Sequence, residues 1–335
     1  MTWPDGFLLV DKPAGVTSRT VVSRVQRALG PSGGRKRGAP RFRCGHAGTL
    51  DPMATGLLVV LVGAGTRLSH YLLGHDKTYD AVVRFGVATD TLDAEGEVTA
   101  SAPPTFDSAQ LTAAITARIG TRLQVPPLVS AIKRDGRSLH RRVRDGEDVA
   151  PPEARLIRID ELVQTGPSSS GPGDGTLDVP LRVLCGSGTY VRSLARDLGE
   201  DLGTLAHLAA LRRVRIGAFD VADAVAPTDL DDSELLRAAL RPLATALPEL
   251  PVVVLDADEA AAVRSGHQPD AAWLDRADGP PAPIAAGREP LWTMIDASGG
   301  LVAVGRLGPD PEGVADGLRP RTAAVFPHLG ETSCS

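Results

Sequence analysis

The chain has 335 residues, 42% of them hydrophobic, enough for about two domains of ordinary size with real cores. Its net charge of −5 argues on its own against a polyanion partner, and its three scattered cysteines (Cys44, Cys185, Cys334) argue against a disulfide framework or zinc cluster and for a reducing, cytoplasmic setting. The opening MTWPDGFLLVDKP has no basic start and no cleavable apolar core, and the longest apolar run, residues 57–62, is far short of the roughly 20 residues that span a bilayer, so neither signal peptide nor membrane span is expected.

In chain order, GFLLV (residues 6–10) reads as a strand. TSRTVVSRVQRALG follows as a helix, with Val21, Val22, Val25, Ala28 and Leu29 on one stripe, Thr17 or Ser18 as its cap and Gly30-Pro31 as its stop. PSGGRKRGAPR is then a basic loop; it brushes the phosphate-loop pattern but lacks the second glycine and the Ser/Thr after Lys. KTYDAVVRFG (77–86) alternates Tyr79, Ala81, Val83 and Phe85, as a half-buried strand does. TRLQVPPLVSAIKRDGRSLHRRVRDG predicts a strand, a proline-marked turn and a short basic helix. RLIRIDELVQ and LDVPLRVLC are predicted strands joined by the loop TGPSSSGPGDG. Residues 188–203 predict a helix with Val191, Leu194, Ala195 and Leu198 inward, RRVRIGAF a strand, and 228–246 a helical stretch. LPELP (247–251) is the expected boundary before a small β-rich module.

Charge is unevenly spread. Residues 251–335 hold 12 acidic and 6 basic residues, so the first 250 are near neutral. Within them, residues 12–50 carry nine Lys or Arg and no acid, and residues 133–144 carry six against Asp135 alone. Two such blocks on a near-neutral body form a local polyanion footprint.

RFRCGHAGTLDPMATGLLVV (41–60) is the densest stretch. An Asp-Pro pair such as Asp51-Pro52 is commonly just a turn or helix cap. Here Gly45 and Gly48 permit close backbone approach to a ligand, His46 offers a flat polar wedge, and LLVVLV anchors the turn on a buried segment. Cys44 and His46 lack a second ligand pair at zinc spacing, so no metal is expected.

GHAGTLDPMATGLLVV resembles the signature of the TruB-type tRNA pseudouridine synthases, which isomerise the T-loop uridine at tRNA position 55. LLVDKPAGVTS, KTYDAVVRFGVATDTLDAEG, QVPPLVSAIKRDGRSLH and CGSGTYVRSLARDLGEDLGTLAHLAALRRVRIG resemble further motifs of that family, in family order and over most of residues 6–220. The resemblance implies an α+β fold: a mixed, mainly antiparallel sheet with flanking helices. It also implies a catalytic domain over 1–247 with RNA-binding insertions and a β-rich, PUA-like domain over 250–330.

Of the residues, the resemblance implies that Asp51 is the catalytic carboxylate, that Arg192 pairs with it, and that Tyr79 stacks on the base and takes the final proton. His46 would occupy space in the opened T-loop, Leu211 would pack on the pocket wall, and Tyr190 and Lys133 would contact RNA. Lys12, of the DKP motif, would support the Asp51 loop or touch the RNA backbone. The implied partner is the T-arm of tRNA, met by a monomer that uses no cofactor and no metal. The family pattern is departed from at the basic loop 31–43, which is longer, and at His140 and Arg142, which stand where aromatics are expected. Two rivals use some of the same features. A tRNA-folding chaperone without essential chemistry would use the basic blocks but gains nothing from a buried carboxylate. A glycoside-cleaving enzyme would need a second acid beside Asp51, and no motif supplies one.

Overall fold

The computed structural model describes residues 5–30, 42–130, 149–172, 175–284, 289–309 and 318–326, with scattered positions between 133 and 147. Its centre is a ten-stranded sheet. In chain order the strands are β1 (Gly6–Lys12), β2 (Cys44–His46), β3 (Thr55–Val62) and β4 (Lys77–Phe85). A separate ribbon pairs β5 (Val87–Thr89) with β6 (Val98–Ser101), and the sheet resumes with β7 (Gly120–Gln124). A second ribbon pairs β8 (Lys133–Arg134) with β9 (Arg137–Ser138). β10 (Arg155–Gln164), β11 (Ser169–Ser170), β12 (Leu177–Cys185), β13 (Ala206–Ile216) and β14 (Phe219–Asp220) complete the sheet. The path runs β1-β3-β13-β4-β12-β10-β7, antiparallel except where β13 meets β3. This is the mixed, mainly antiparallel sheet expected.

Burial explains which strands are read most easily. β3 is apolar without alternation because both of its faces are covered. Leu57, Val59 and Leu61 pack with Phe7 and Leu9, while Leu58, Val60 and Val62 pack with Leu8, Val10 and α1 (Ser18–Ala28). β4 alternates because only one face is covered: Tyr79, Ala81, Val83 and Phe85 meet α4 (Val191–Asp201). Between α1 and α4 in the chain come α2 (Ser69–Gly74) and α3 (Ser108–Ala117). The cap of α1 is Thr17, whose side chain accepts from Thr20 N at 3.1 Å.

Lys133–Arg134 and Arg137–Ser138 are paired strands that were not expected; Asp135-Gly136 between them is a dipeptide that favours tight hairpins. Arg142, within the expected basic helix, is helical. Two expectations are corrected. The 228–246 helix shrinks to α5 (Ser233–Ala238) between short 3-10 turns at Pro227–Asp229 and Leu243–Thr245. Pro242 lacks the N–H a continuous helix needs, and Asp232 caps α5 by accepting from Glu234 N and Leu235 N. The strand expected at RRVRIGAF begins earlier, at Ala206, with bulges at Leu208/Ala210 and Arg213/Arg215 that blur its two-residue period.

The C-terminal part forms its own four-stranded sheet: β15 (Val252–Leu255), β16 (Leu291–Asp296), β17 (Leu301–Pro309) and β18 (Leu318–Val325), in that order. With α6 (Ala257–Arg264) it encloses a cluster around Trp292, Met294 and Val302. Its other side is not free. Leu291, Leu301, Val304 and Phe326 join the cluster of Phe7, Tyr71 and Leu247. Among the described residues no helix is long and apolar enough to cross a membrane.

The β3–β13 junction depends on one glycine. Gly56 has φ 101°, and a Cβ there would lie 2.2 Å from the carbonyl oxygen of Arg213. Gly56→Ala is therefore expected to destabilise the protein by on the order of 2–3 kcal/mol, lowering Tm by about 5–10 °C. A wild-type melting curve for the variant would show that the junction relaxes freely.

Candidate active site

The loop between β2 and β3 carries Asp51 and is irregular, so its buried backbone groups need partners from elsewhere. They come from three directions. Lys12, at the end of β1, is fully buried, and its ammonium donates to the carbonyls of Pro13 (2.8 Å), Val16 (2.8 Å) and Pro52 (3.1 Å). Ser18, on α1, accepts from Leu50 N at 2.9 Å and donates to Leu50 O at 3.1 Å. Arg213, on β13 and 1% exposed, donates to Leu57 O at 2.8 Å and Gly48 O at 3.1 Å. Lys12 thus lies under the loop and not on the surface; burial lowers its pKa to about 8, against the opposing pull of Glu95 and Asp51.

Asp51 and Arg192, 141 positions apart, meet. Nε of Arg192 is 2.9 Å from one carboxylate oxygen, and Nη2 donates to the other at 3.2 Å. The arginine side chain is 6% exposed and the aspartate 34%, so the cation lies behind and the anion faces outward. Arg192 is aimed by Thr91 O (2.9 Å), Val129 O (3.0 Å) and a second carboxylate, Asp93, at 3.4 Å. Leu92, between Thr91 and Asp93, has φ 63°, the one non-glycine left-handed residue among those described. Its carbonyl accepts from Leu208 N at 3.0 Å, which fixes this strained turn to β13.

The carboxylate opens on a cavity of about 270 Å³. Tyr79 from β4, Leu211 from β13 and Tyr190 at the start of α4 line it, with Lys77 and Arg213 deeper. Tyr190 is held through its backbone, whose N–H and carbonyl pair with the Gln124 amide at 2.9 and 3.1 Å, and its ring lies 5.4 Å from the Arg155 guanidinium. Burial pushes the pKa of Asp51 up, and the nearby Asp93 adds to this, while Arg192 and Lys12 pull it down. Burial also raises the Tyr79 phenol, against Arg213. Lys77 is lowered to about 8 by burial and donates to Leu73 O at 2.8 Å.

The structure thus brings Asp51, Arg192, Tyr79, Leu211 and Tyr190 together. It puts His46 next door, in a separate groove. The side chain of Lys133 lies outside the described residues, as do His140 and the basic loop with Arg35, Lys36 and Arg37. Arg142 is ion-paired with Glu147 at 2.6 Å and so is not an unopposed cation. Sequence reading missed Asp93, Arg213, Ser18 and Gln124. Asp93 stood inside TDTLDAEG with no feature separating it from Asp90, and Arg213 stood among three arginines of one strand. Asp93 is the second acid that sequence reading did not find near Asp51. It is 6% exposed, accepts from the Thr91 hydroxyl at 2.6 Å and does not line the cavity, so it does not form a glycosidase pair.

Residues 36–191 match the model of the TruB family pseudouridylate synthase N-terminal domain, and residues 192–248 that of the tRNA pseudouridylate synthase B C-terminal domain. The chain belongs to the TruB family. It is 45% identical over 249 residues to tRNA pseudouridine synthase B of Corynebacterium efficiens, covering 74% of this chain and 79% of that one. To the protein of the same name in Thermobifida fusca it is 46% identical over 267 residues, covering 79% and 86%. Among solved structures it resembles a chain of an H/ACA RNP bound to a substrate RNA containing 2'-deoxyuridine, with TM-score 0.66 and 22% identity over 97% of this chain and 86% of that one. It also resembles a chain of a Cbf5-Nop10-Gar1 complex, with TM-score 0.64 and 25% identity over 96% and 84%.

Two outcomes are expected of this TruB-family site. Lys12→Met leaves three buried carbonyls without their donor, at about 1–3 kcal/mol for each that water cannot reach. Both Tm and turnover should fall, and unchanged turnover would separate Lys12 from the Asp51 loop. For pH, a raised carboxylate pKa means that Asp51 stays protonated above the usual range of about 4, so the acid limb of kcat/KM lies above it. Arg192→Gln removes the largest pull toward the anion and should move that limb further up; a limb that stays or moves down contradicts the pairing.

Proposed function

We propose that this protein isomerises uridine to pseudouridine in the T-loop of tRNA, at position 55. The observation that carries the reading is the Asp51–Arg192 pair at the mouth of a cavity walled by Tyr79 and Leu211. The reaction breaks the bond from ribose C1′ to ring N1, turns the base, joins C1′ to ring C5, and moves the C5 proton out as N1 gains one. Nothing is oxidised and nothing leaves, so the stoichiometry calls for no redox cofactor or metal. It calls for a carboxylate at the sugar–base bond in a site shielded from water. Asp51 supplies that carboxylate, and Arg192 favours its ionised form against the burial that favours the protonated one.

Tyr79 stacks on the base. As the phenolate, its oxygen receives the proton leaving C5 and becomes the phenol; the Arg213 guanidinium beside it favours that phenolate against burial. Leu211 closes the wall opposite, and Tyr190 borders the entrance. A paired, stacked uridine cannot reach such a cavity, so the nucleotide is flipped out of the T-loop. His46 fills space in the opened loop, and Lys133 with its basic neighbours holds the stem. Lys12 is not assigned an RNA contact, because its ammonium is buried beneath the Asp51 loop. The protein acts as a cytoplasmic monomer, with a catalytic domain over residues 1–247 and a PUA-like domain over 250–330.

Asp51→Asn should abolish uridine conversion in an unmodified tRNA transcript while tRNA binding survives. Turnover by the purified variant would overturn the assignment of Asp51. Equal conversion of a transcript with an altered T-loop would overturn the assignment of substrate.

A further inference from the structure

Next to the Asp51 cavity, and distinct from it, a groove of about 600 Å³ runs between α1 and β2. Arg19, Ser23 and Gln26 face it from α1, and Arg43 and His46 from β2 and its approach. No acidic residue lines it. Arg24, also on α1, is neutralised by Asp231 at 2.7 Å. The guanidiniums of Arg19 and Arg43, by contrast, have no hydrogen-bond or ion-pair partner among the described residues. The Nδ1 atom of His46 is buried and has no hydrogen-bond partner. Burial, then Arg213 and Arg19, lower the pKa of His46, which keeps its ring neutral, so the charge of the groove is that of its two guanidiniums.

Two unopposed cations in one groove repel each other, and a shared anion removes that repulsion. The groove is also built on rigid elements. The Gln26 amide donates to Phe42 O at 2.7 Å, tying the segment that carries Arg43 to the helix that carries Arg19. One short loop joins groove to cavity: His46 lines the first, and Gly48, Thr49 and Asp51 line the second. A polynucleotide with one residue in the cavity can continue past this loop into the groove.

We propose that the groove is a second RNA subsite, in which Arg19 and Arg43 clamp a phosphodiester linkage adjoining the flipped nucleotide and the His46 ring faces the neighbouring base. The proposal rests on the uridine-isomerising reading above. Guanidinium suits the task because it meets two phosphate oxygens at once. Such a contact sets the register of the strand and carries no sequence information. Its loss therefore weakens binding alike for every tRNA that enters the cavity.

The test uses the full chain, an unmodified tRNA transcript, and the variants Arg19→Gln, Arg43→Gln and their double. Each single variant should raise KM about tenfold and lower the slope of log K against log salt by about one, with the double lowering it by about two. The single-turnover rate at saturating RNA should stay at the wild-type value. Arg19→Lys should restore most of the salt slope, which a merely structural role for Arg19 would not predict. A T-arm oligonucleotide with one neutral methylphosphonate next to the target uridine should bind the wild type more weakly and lose nothing further with the double variant. Wild-type KM and salt slope in both single variants, in a chain that converts uridine, would overturn the proposal, as would additive losses from methylphosphonate and double variant. A wild-type chain that shows the methylphosphonate coupling but converts no uridine would instead sustain the groove and overturn the reading of the cavity.

Discussion

The ion pair between Asp51 and Arg192 is the constraint around which the site is arranged. A carboxylate in a partly dry cavity prefers to be neutral, and the largest influence on Asp51 is that loss of solvent. A guanidinium at 2.9 Å opposes it. Arg192 could not sit there, 6% exposed, without further partners, because a buried cation with one anion alone is costly. The Thr91 and Val129 carbonyls and the Asp93 carboxylate meet that need. Asp93 acts in both directions: it aims Arg192, and its own charge raises Asp51. The carboxylate is therefore subject to opposing influences, of which burial is the largest and leaves its pKa raised.

The loop that carries Asp51 is kept rigid in a different way. Lys12 and Arg213 are cations, yet both donate to backbone carbonyls of the loop and its flanks and not to the Asp51 carboxylate. An irregular loop with buried carbonyls needs donors, and long cationic side chains arriving from β1 and β13 provide several at once. They leave the Asp51 oxygens to Arg192 and to whatever enters the cavity. Such prior fixing is what a carboxylate needs in order to act without rearrangement. Buried cations with fixed partners thus shape the site, whereas the guanidiniums of Arg19 and Arg43, exposed and without a side-chain partner among the described residues, remain open to an incoming anion.

The sheet places these parts. β3, covered on both faces, is the rigid base from which the Asp51 loop departs, and β13 lies between β3 and β4. That position makes β13 the carrier of Leu211 and Arg213, and its near neighbour β4 the carrier of Tyr79. The C-terminal sheet packs Leu291, Leu301 and Phe326 into the cluster that includes Phe7 and Leu9 of β1 and Leu57, Val59 and Leu61 of β3, so it buttresses the large sheet mechanically as well as extending the molecule.

What the sequence determined by itself is what local pattern and motif can encode. The unbroken apolar run of β3, the alternation of β4, the capped stripe of α1 and the inward face of α4 each follow from burial on two faces, one face or one stripe. Asp51 and Arg192 were legible because each stands in a motif of its own. The helix at 228–246 was misread because Pro242 and the Asp232 cap outweigh composition, and the hairpin at Lys133–Ser138 was missed although Asp135-Gly136 signals one. Tertiary structure alone decided the rest. It singled out Asp93 from Asp90 and Arg213 from Arg212 and Arg215, sent Lys12 inward, and left Arg19 without the carboxylate that Arg24 has. These outcomes depend on which distant carbonyl or carboxylate arrives within about 3 Å, and pairing across a sheet, unlike periodicity along a strand, leaves no trace in the spacing of residues.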